Sequence, residues 1–413
     1  AVADQLPVGL ANRCGPQPEP GVPVARRLAV ALGRAESVRL MARLFGTDGI
    51  RGVANVDLKP TLAYALGRAT AHHLLRGGGR LVVGQDTRRS GDMFVAAISA
   101  GATSLGSAVH VAGVVPTPAL AFFAALPEFR AGIMVSASHN PADDNGLKVL
   151  DEHGLKLDDA LEDELERLIW QADELDGVGN AELGRVVSDA ALLERYRAHR
   201  LGLARDIEAQ LHVVLDCANG SGGVVAPAIL AATGARVDVI HNDPDGVNIN
   251  LRCGATAPES LAAAVRERGA DVGFALDGDA DRLIAVNEHG RVVDGDQILG
   301  VLALDRLERN ALPGGCLVVS VLSNGGLQVA VEAAGGQVIR TPVGDKYILE
   351  GMQVSGAMLG GEKSGHVIVL EHTTSGDGIV TALEVLRDMY RRRAPLGELA
   401  AQIPLLPQQQ RAV

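Results

Sequence analysis

The sequence predicts an α/β protein built from three related α/β domains with mixed sheets. One pattern occurs three times along the 413 residues: a buried strand, a turn, a helix closed by a glycine, and a second strand. Two strands joined by a helix normally pair in parallel, with the helix on one face of the sheet. Aromatic residues make up only 3% of the chain while glycines number 50, which is typical of α/β folds with many strand-to-helix turns.

The three copies of this pattern follow one another along the chain. The first runs from Leu81 to Val111, the second from Val213 to Ile240, and the third from Val318 to Arg340. The chain exceeds the roughly 100 to 200 residues of an ordinary domain, so the copies are expected to belong to separate domains. The glycines predicted to close the three helices are Gly106, Gly234 and Gly335.

Domain boundaries are predicted near residues 195 and 296. Residues 1–40 contain five prolines and little periodicity, which predicts a loose N-terminal extension. The first domain then spans 41–195, the second 196–295 and the third 296–405. Proline and glutamine near the end of the sequence predict that residues 406–413 form a linker.

Composition and charge exclude several function classes. The formal net charge of −12 has the wrong sign for nucleic-acid binding, and no basic stripe with interleaved aromatic residues occurs. No apolar run approaches the roughly 18 residues needed to span a bilayer. The four cysteines lie far apart, which argues against a zinc site or a disulfide framework and favours a cytoplasmic protein. An anionic substrate must then be held by local cations and backbone N–H groups.

Residues 135–149 (VSASHNPADDNGLKV) place a hydroxyl, an imidazole and an ammonium in one short turn. The turn follows the apolar run 132–135, and α/β folds bind ligands at the carboxyl ends of strands. A serine that carries a phosphoryl group needs nearby cations, so Ser138 is a candidate phosphate carrier with His139 beside it. Lys148 is the candidate base, provided that its pKa is lowered. The alternative is an ordinary Asn-Pro turn in which Ser138 is only a turn hydroxyl.

Asp277, Asp279 and Asp281 alternate directly after the apolar run 272–276. Alternate side chains of an extended loop project to one side, which makes a hard-oxygen site suited to Mg²⁺, and Arg282 lies next to it for phosphate oxygens. A calcium-binding loop is excluded because Arg282 stands where that loop requires glycine. Two alternatives stay open: a solvated acidic turn, and a phosphatase in which Asp277 itself is phosphorylated.

A third segment, residues 360–366 (GGEKSGH), pairs polar groups suited to a sugar. Glu362 and Ser364 alternate on one face and can bind adjacent sugar hydroxyls. His366 is a candidate proton carrier, with a structural histidine as the alternative. Residues 374–378 (TSGDG) fit a phosphate-cradling loop, but a plain helix N-terminus is the preferred interpretation. Three polar residues upstream are expected to line the same substrate site: Thr341, Asp345 and Lys346.

Four segments occur together in this order: residues 45–52 (FGTDGIRG), 136–141 (SASHNP), 277–282 (DGDADR) and 361–366 (GEKSGH). With this set, the chain from about Met41 to its end resembles the α-D-phosphohexomutases. The first segment with its neighbours, residues 44–55 (LFGTDGIRGVAN), and residues 374–378 (TSGDG) are most similar to the members that interconvert glucosamine 6-phosphate and glucosamine 1-phosphate, in the synthesis of UDP-N-acetylglucosamine and cell-wall precursors. The resemblance implies a phosphosugar mutase, an isomerase that transfers phosphate through a phosphoserine and a bisphosphorylated sugar.

The resemblance also implies roles for individual residues. Ser138 would carry the phosphate and, with the three aspartates of residues 277–281, bind one Mg²⁺ ion. Lys148 and His366 would move protons, and a sugar bisphosphate would activate the enzyme. The phosphoryl group would be held by Arg51, His139 and Arg282, and the sugar by Glu362 and Ser364.

One departure from the family concerns its fourth, C-terminal domain, whose Arg-x-Ser-Gly-Thr-type loop binds the distal phosphate. No such segment occurs before Val413, so this chain is expected to lack that domain. The expected partner is a small phosphosugar, with neither nucleic acid nor membrane, and a homodimer is a further expectation. The alternatives are a mutase of the same family for phosphomannose or phosphoglucose, an aspartate phosphatase, and a sugar-phosphate binding protein without turnover.

Overall fold

Three mixed sheets follow one another along the chain in the computed structural model, which describes residues 43–46, 48–75 and 79–409. The extension predicted over residues 1–40 lies outside the described residues. Among the helices of the described part, none is long and apolar enough to cross a membrane.

The first sheet has six strands and mixed pairing. Its strands are β1 (Ile50–Val53), β2 (Arg80–Gln85), β3 (Ala108–Val114), β4 (Ala131–Val135), β5 (Asp144–Leu150) and β6 (Val186–Ser188). They lie in the order β1, β5, β4, β2, β3, β6, and only β5 and β1 pair antiparallel to their neighbours. The helices of this part are α1 (Pro60–His73), α2 (Gly91–Thr103), α3 (Thr117–Ala124), α4 (Asp159–Trp170) and α5 (Ala191–Ala204).

The second sheet has five strands. They are β7 (His212–Asp216), β8 (Arg236–Ile240), β9 (Val272–Leu276), β10 (Leu283–Asn287) and β11 (Val292–Val293). The order is β11, β10, β9, β7, β8, with β7 parallel to both β8 and β9 and the other pairs antiparallel. Its helices are α6 (Ala226–Ala231) and α7 (Glu259–Arg268).

The third sheet has four strands. They are β12 (Cys316–Ser320), β13 (Gln337–Thr341), β14 (Leu359–Gly361) and β15 (Val367–Val369), in the order β13, β12, β14, β15. Only the pair of β14 and β15 is antiparallel. The helices here are α8 (Gly295–Glu308), α9 (Gly325–Ala333), α10 (Asp345–Ser355), α11 (Gly378–Arg392) and α12 (Leu396–Ala400).

The predicted repeat is present in all three sheets. In each, the first strand, the helix and the second strand follow the expected order, and the two strands pair in parallel. Gly106, Gly234 and Gly335 follow the three helices with φ angles of +87°, +81° and +83°. These angles lie in the left-handed region that glycine adopts without penalty, so the chain can turn towards the next strand two or three residues after each helix. The fold class predicted from the sequence is confirmed.

One apolar core runs through all three sheets. Val82, Leu215 and Val319 lie in different sheets, yet all belong to the same cluster of buried side chains. Their chain neighbours Val83 and Val214 point to the opposite faces and belong to separate clusters, because successive side chains of a strand alternate between its faces. The shared core therefore fixes the strand ends of the three domains relative to one another.

The last described residues lie on the third domain. Asn324, which caps α9, donates from Nδ2 to the carbonyl oxygen of Leu406 at 2.9 Å and accepts from its N–H at 3.0 Å. The helix α12 lies in a stretch that the sequence did not predict to be helical. The boundary placed at residue 405, like the other domain limits, stays a prediction.

Replacement of Gly234 by alanine should lower the free energy of unfolding by about 1–2 kcal/mol, because alanine resists the left-handed backbone. An added Cβ at Gly234 would meet no atom within 4 Å, so the change in stability would report only the backbone strain and no steric clash. Gly202 in α5 has equal space but a helical backbone, and Gly202→Ala should raise stability by up to about 1 kcal/mol. Urea denaturation measures both. Equal effects at the two glycines would contradict the assignment.

Candidate active site

The site lies where strands from three sheets end. Ser138 follows β4, Asp277 follows β9 and Glu362 follows β14. The carboxyl ends of β4 and β9 come together directly, since Ser138 Oγ lies 2.6 Å from Asp277 Oδ2. The loop after β14 reaches the same place, because the N–H of Leu283 donates to the carbonyl oxygen of Gly365 at 3.0 Å. Three segments that are distant in sequence therefore form one cleft, as expected at the ligand-binding edge of α/β sheets.

Ser138 is fully buried and has a left-handed backbone, with φ at +52°. Such a conformation is strained for a residue with a Cβ and is found mainly at functional turns. Its N–H donates to Ser136 Oγ at 2.9 Å, and its hydroxyl donates to Asp277. The imidazole Nδ1 of His139 lies 3.4 Å from the hydroxyl oxygen. An ordinary Asn-Pro turn, in which Ser138 is only a turn hydroxyl, does not account for this burial and strain.

The three aspartates of the second loop are buried and converge. Ligand oxygens of Asp277, Asp279 and Asp281 all lie within 4.8 Å of one another. Burial, together with Asp281 and Asp279, raises the pKa of Asp277 well above its usual value. Burial would also raise the pKa of Asp281, but Lys148 and His366 lower it well below the usual value. Three buried carboxylates at this spacing are compatible with a divalent cation, and their burial excludes a solvated acidic turn.

Two oxygens of this cluster test whether a cation fits. Oδ1 of Asp279 and Oδ1 of Asp281 are buried and have no hydrogen-bond partner among the described residues. A buried carboxylate oxygen without a partner is costly. Hard divalent cations bind such oxygens, so the donor set fits a divalent ion.

Lys148 lies against the same carboxylates. Its Nζ is 2.7 Å from Asp279 Oδ2 and 3.8 Å from Asp281 Oδ2, and the side chain is buried. Burial alone would lower the pKa of Lys148, but Asp279 and Asp281 raise it above the usual value. The condition for Lys148 to act as a base, a lowered pKa, is therefore not met while both aspartates contact its ammonium.

His366 is held by two loops. Its Nε2 accepts a hydrogen bond from the N–H of Gly376 at 3.1 Å, and its Nδ1 lies 3.8 Å from Asp281. Burial lowers the pKa of His366, but Asp281 and Asp345 raise it above its ordinary value. The Gly376 contact requires Nε2 to be an acceptor, which places the proton of the neutral ring on Nδ1. His366 thus links residues 374–378 to the aspartate loop.

The predicted cations surround Ser138. Arg51 donates from Nη1 to Asn140 Oδ1 at 3.2 Å and also contacts Asp48. Arg282 Nε lies 3.8 Å from Asp281, and the Nε atoms of both arginines have no hydrogen-bond partner among the described residues. Both Nε atoms are buried in this conformation.

His139 differs from the two arginines. Burial, with the nearby charges of Arg282 and Arg51, lowers the pKa of His139 to about 4. The imidazole is therefore neutral near pH 7. It can donate or accept a hydrogen bond at the phosphoryl position, but it does not add a positive charge there.

The predicted sugar-binding residues are only partly brought together. Ser364 Oγ is buried without a partner among the described residues, whereas Glu362 Oε1 accepts from the N–H of Gly344 at 3.0 Å. Asp345 and Lys346 line a cavity with Lys148 and His366, and neither Glu362 nor Ser364 belongs to that lining. Thr341 lies at the end of β13, where its hydroxyl bonds to the carbonyl oxygen of Pro342 at 3.1 Å, and it is not part of that lining.

Sequence reasoning missed Lys156 and Thr117. Lys156 Nζ lies 2.5 Å from Asp48 Oδ1 and 2.6 Å from Asp345 Oδ2, so it joins the first domain to the third. Thr117 Oγ1 donates to Asp279 Oδ2 at 2.6 Å. Thr117 begins α3 just beyond β3, so its place at a strand's carboxyl end was the available signal. Lys156 stands in no recognisable motif.

Comparison with known proteins places this site in a family. The description "Phosphoglucomutase/phosphomannomutase, alpha/beta/alpha domain I" matches residues 42–176, domain II matches 194–290 and domain III matches 294–405. The chain belongs to the phosphoglucomutase/phosphomannomutase family. The three matches follow one another in the order of the three sheets. They confirm the resemblance to the α-D-phosphohexomutases, and the enzyme is an isomerase of the phosphosugar mutase class.

Three relatives show how close the similarity is. A curated phosphoglucosamine mutase of Moorella thermoacetica is 53% identical over 371 residues, which is 89% of this chain and 84% of the relative. That of Desulforudis audaxviator is 48% identical over 374 residues, covering 89% and 82%. The crystal structure of a phosphoglucomutase/phosphomannomutase family protein from Burkholderia thailandensis has a TM-score of 0.75 at 29% identity, covering 88% of this chain and 80% of that one.

The lowered pKa of His139 predicts a pH dependence for this phosphohexomutase. In the unfolded chain the group titrates near 6.5, against about 4 in the folded protein. Between these values the unfolded state binds more protons, so stability present above pH 6.5 is lost as the pH falls towards 4. Wild type should therefore lose more free energy of unfolding between pH 7 and pH 5 than His139→Gln.

The measurement is denaturant unfolding of unphosphorylated protein without divalent cations. The same comparison at the exposed His153 gives the control. Parallel pH profiles for wild type and His139→Gln would contradict the assigned environment.

Proposed function

We propose that this enzyme is a phosphoglucosamine mutase that interconverts glucosamine 6-phosphate and glucosamine 1-phosphate. The carrying observation is the buried hydroxyl of Ser138, which lies 2.6 Å from a carboxylate of a three-aspartate cluster. The similarity to curated phosphoglucosamine mutases over 89% of the chain supports the choice of substrate. In this proposal the product serves the synthesis of UDP-N-acetylglucosamine and cell-wall precursors.

The proposed metal is one Mg²⁺ ion held by Asp277, Asp279, Asp281 and the oxygen on Ser138. All these donors are hard oxygens, which suit Mg²⁺ better than softer transition metals. Mg²⁺, when bound, offsets the negative charge that spreads over the oxygens of a transferring phosphoryl group.

Ser138 carries the phosphoryl group in this proposal. The bond between phosphorus and Ser138 Oγ breaks while a new bond forms to a sugar hydroxyl, whose proton passes to a base. The sugar bisphosphate then turns around and returns its other phosphoryl group to Ser138. Arg51 and Arg282 each offer an unpartnered Nε–H for the phosphoryl oxygens. Retention of the bisphosphate between the two transfers requires a closed cleft.

Lys148 remains the proposed base, under a condition. Without a bound cation, the negative charges of Asp279 and Asp281 raise the pKa of Lys148, so its side chain is an ammonium and cannot accept a proton. When both carboxylates serve as ligands, burial becomes the main influence on its pKa, and burial lowers the pKa of an amine. His366 is better suited to positioning than to proton transfer, since Gly376 occupies its Nε2.

Glu362 and Ser364 are the proposed sugar-binding residues. The unpartnered Ser364 Oγ can bond directly to a hydroxyl of the sugar. Asp345 and Lys346 line a cavity with Lys148, Asp281 and His366 and are proposed to contact the substrate beyond the reacting centre. A sugar bisphosphate as activator, a homodimer and a cytoplasmic location stay predictions.

The aspartate phosphatase alternative is disfavoured by the contacts of Asp277. Its Oδ2 accepts from Ser138 Oγ and its Oδ1 from the N–H of Arg282 at 3.2 Å. The same-family alternative differs only in the sugar, so substrate comparison decides it.

Phosphate labelling tests the proposed chemistry. Protein incubated with glucosamine 1,6-bisphosphate and Mg²⁺ should gain one phosphate on Ser138 that is stable to hydroxylamine, located by peptide mass spectrometry. Ser138→Ala should lose both this label and turnover. A hydroxylamine-labile phosphate on Asp277 would make the protein a phosphatase, and no label at all would favour a binding protein.

Substrate preference tests the sugar assignment. The value of kcat/KM should be highest for glucosamine 6-phosphate when compared with mannose 6-phosphate and glucose 6-phosphate, without net release of inorganic phosphate. A preference for either of the other sugars would move the enzyme to the same-family alternative.

Substitutions of Asp279 and Lys148 should have different effects on Mg²⁺ affinity, although the two side chains are in contact. Asp279→Asn should weaken Mg²⁺ binding at least ~10-fold, since it removes a charged ligand. Lys148→Met removes a cation that competes for the same carboxylates, so Mg²⁺ should bind no more weakly while turnover falls. Calorimetric titration with Mg²⁺ and steady-state kinetics measure the two effects. Unchanged metal binding in Asp279→Asn would rule out the proposed site.

A further inference from the structure

Arg88, just beyond β2, is committed to the turn that contains Ser138. Its guanidinium is fully buried and donates all five of its N–H groups. Nε bonds to Asp86 Oδ2 at 2.9 Å, and Nη2 bonds to the carbonyl oxygens of Ser138 at 3.0 Å and Asn140 at 2.8 Å. Nη1 donates to two further carbonyl oxygens of the same turn, those of Pro141 and Asp144.

A second donor reaches the same turn from the second domain. Asn250 Nδ2 lies 2.9 Å from the carbonyl oxygen of Ser138 and 3.1 Å from that of Asn140. These are the two carbonyl oxygens that Arg88 Nη2 contacts. A carbonyl oxygen has two lone pairs, so each of the two oxygens is saturated by one donor from each domain.

The backbone N–H of Ser138 is also held by the ion pair of Arg88 and Asp86, through one intervening side chain. Ser138 donates its N–H to Ser136 Oγ, which in turn donates to Asp86 Oδ2 at 2.7 Å. Asp86 is the partner of Arg88, so both backbone polar groups of Ser138 lead back to one buried pair. This arrangement explains how a non-glycine residue is kept at a φ of +52°.

Thr87 and Arg89, which alternate with Asp86 and Arg88 along the chain, bond to the second domain instead of the serine turn. Thr87 Oγ1 donates to the carbonyl oxygen of Asn219 at 2.6 Å, and the N–H of Arg89 donates to that of Gly246 at 2.9 Å. Both acceptors belong to loops of the second domain. Residues 86–89 therefore alternate between the serine turn and the domain that carries the aspartate loop.

We propose that Arg88 and Asn250 form a two-domain clamp that positions Ser138 for phosphoryl transfer. The inference rests on the proposed function, because it assigns positioning residues to that reaction. Transfer between a serine oxygen and a sugar hydroxyl depends on alignment, and a misplacement of about 1 Å can reduce the rate ~100-fold. The clamp sets the serine relative to both domains through backbone carbonyl oxygens, and its hydrogen bonds reach none of the side chains of Asp277, Asp279 and Asp281.

Arg88→Lys tests the clamp while keeping the charge opposite Asp86. Lysine has three donors in place of the planar fork of five, so it cannot serve all these acceptors. We expect kcat to fall ~100-fold with little change in KM, because binding groups are untouched and alignment is lost. Asn250→Gly removes the other donor and suits the φ of +58° at that position; it should lower kcat in the same direction.

Arg68 provides the matched control. It is another buried arginine of the first domain that donates to backbone carbonyl oxygens, to Ala172 at 3.0 Å and to Leu175 at 2.5 Å, but away from the cleft. Arg68→Lys should lower thermal stability as Arg88→Lys does and leave kcat near wild type. An equal fall of kcat in both would mean that Arg88 is only structural, and wild-type kcat in Arg88→Lys would overturn the clamp.

Hydrogen–deuterium exchange of the full chain separates this inference from the proposed function. Peptides covering residues 135–145 should exchange faster in Arg88→Lys and Asn250→Gly, and unchanged in Arg68→Lys. This result does not depend on any sugar. If wild type turns over no phosphosugar, the proposed function fails, while unchanged exchange in Arg88→Lys would by itself overturn the clamp.

Discussion

The hydrogen bond between Ser138 Oγ and Asp277 Oδ2 joins two groups 139 positions apart in the sequence, and the rest of the architecture serves to hold these oxygens together. Each group ends a central strand of its own sheet, so their distance depends on how two domains pack. The continuous apolar core determines that packing, since it takes one face of every sheet. Hydrogen bonds at the strand ends then determine the exact positions of the Ser138 and Asp277 oxygens, which the packing of the core fixes only approximately.

Charge is concentrated at this junction. Asp277, Asp279 and Asp281 lie beside the ammonium of Lys148 and the guanidinium of Arg282, with His366 as a further neighbour. Burial of so many ionisable groups is unfavourable for folding. Because these groups interact strongly, the pKa of each one depends on whether its neighbours bind a proton, a cation or a ligand. The protonation state of such a site is coupled to ligand and cation binding more strongly than at a solvent-exposed site, where water and salt screen the charges.

Sequence reasoning succeeded where local pattern carries the information. The alternating aspartates after β9, the strained turn after β4 and the three closing glycines each depend on a few neighbouring residues, so their positions could be predicted. The pKa direction of Lys148 could not, because it depends on carboxylates 131 and more positions away. The roles of Arg88, Asn250 and Lys156 could not be predicted from the sequence for the same reason. Each contacts residues of a segment distant in sequence, and no local motif marks any of the three.

The first strands of the first two repeats end in the same polar turn. Asp86 accepts the N–H of Arg88 at 2.9 Å, and Asp216 accepts the N–H of Ala218 at 2.8 Å, each two residues further along the chain. The remaining oxygen of each aspartate is used differently, by the Ser136 hydroxyl in the first domain and by the N–H of Gly254 in the second. A duplicated unit can therefore keep one turn unchanged and acquire a new task by changing only the segment that turn supports.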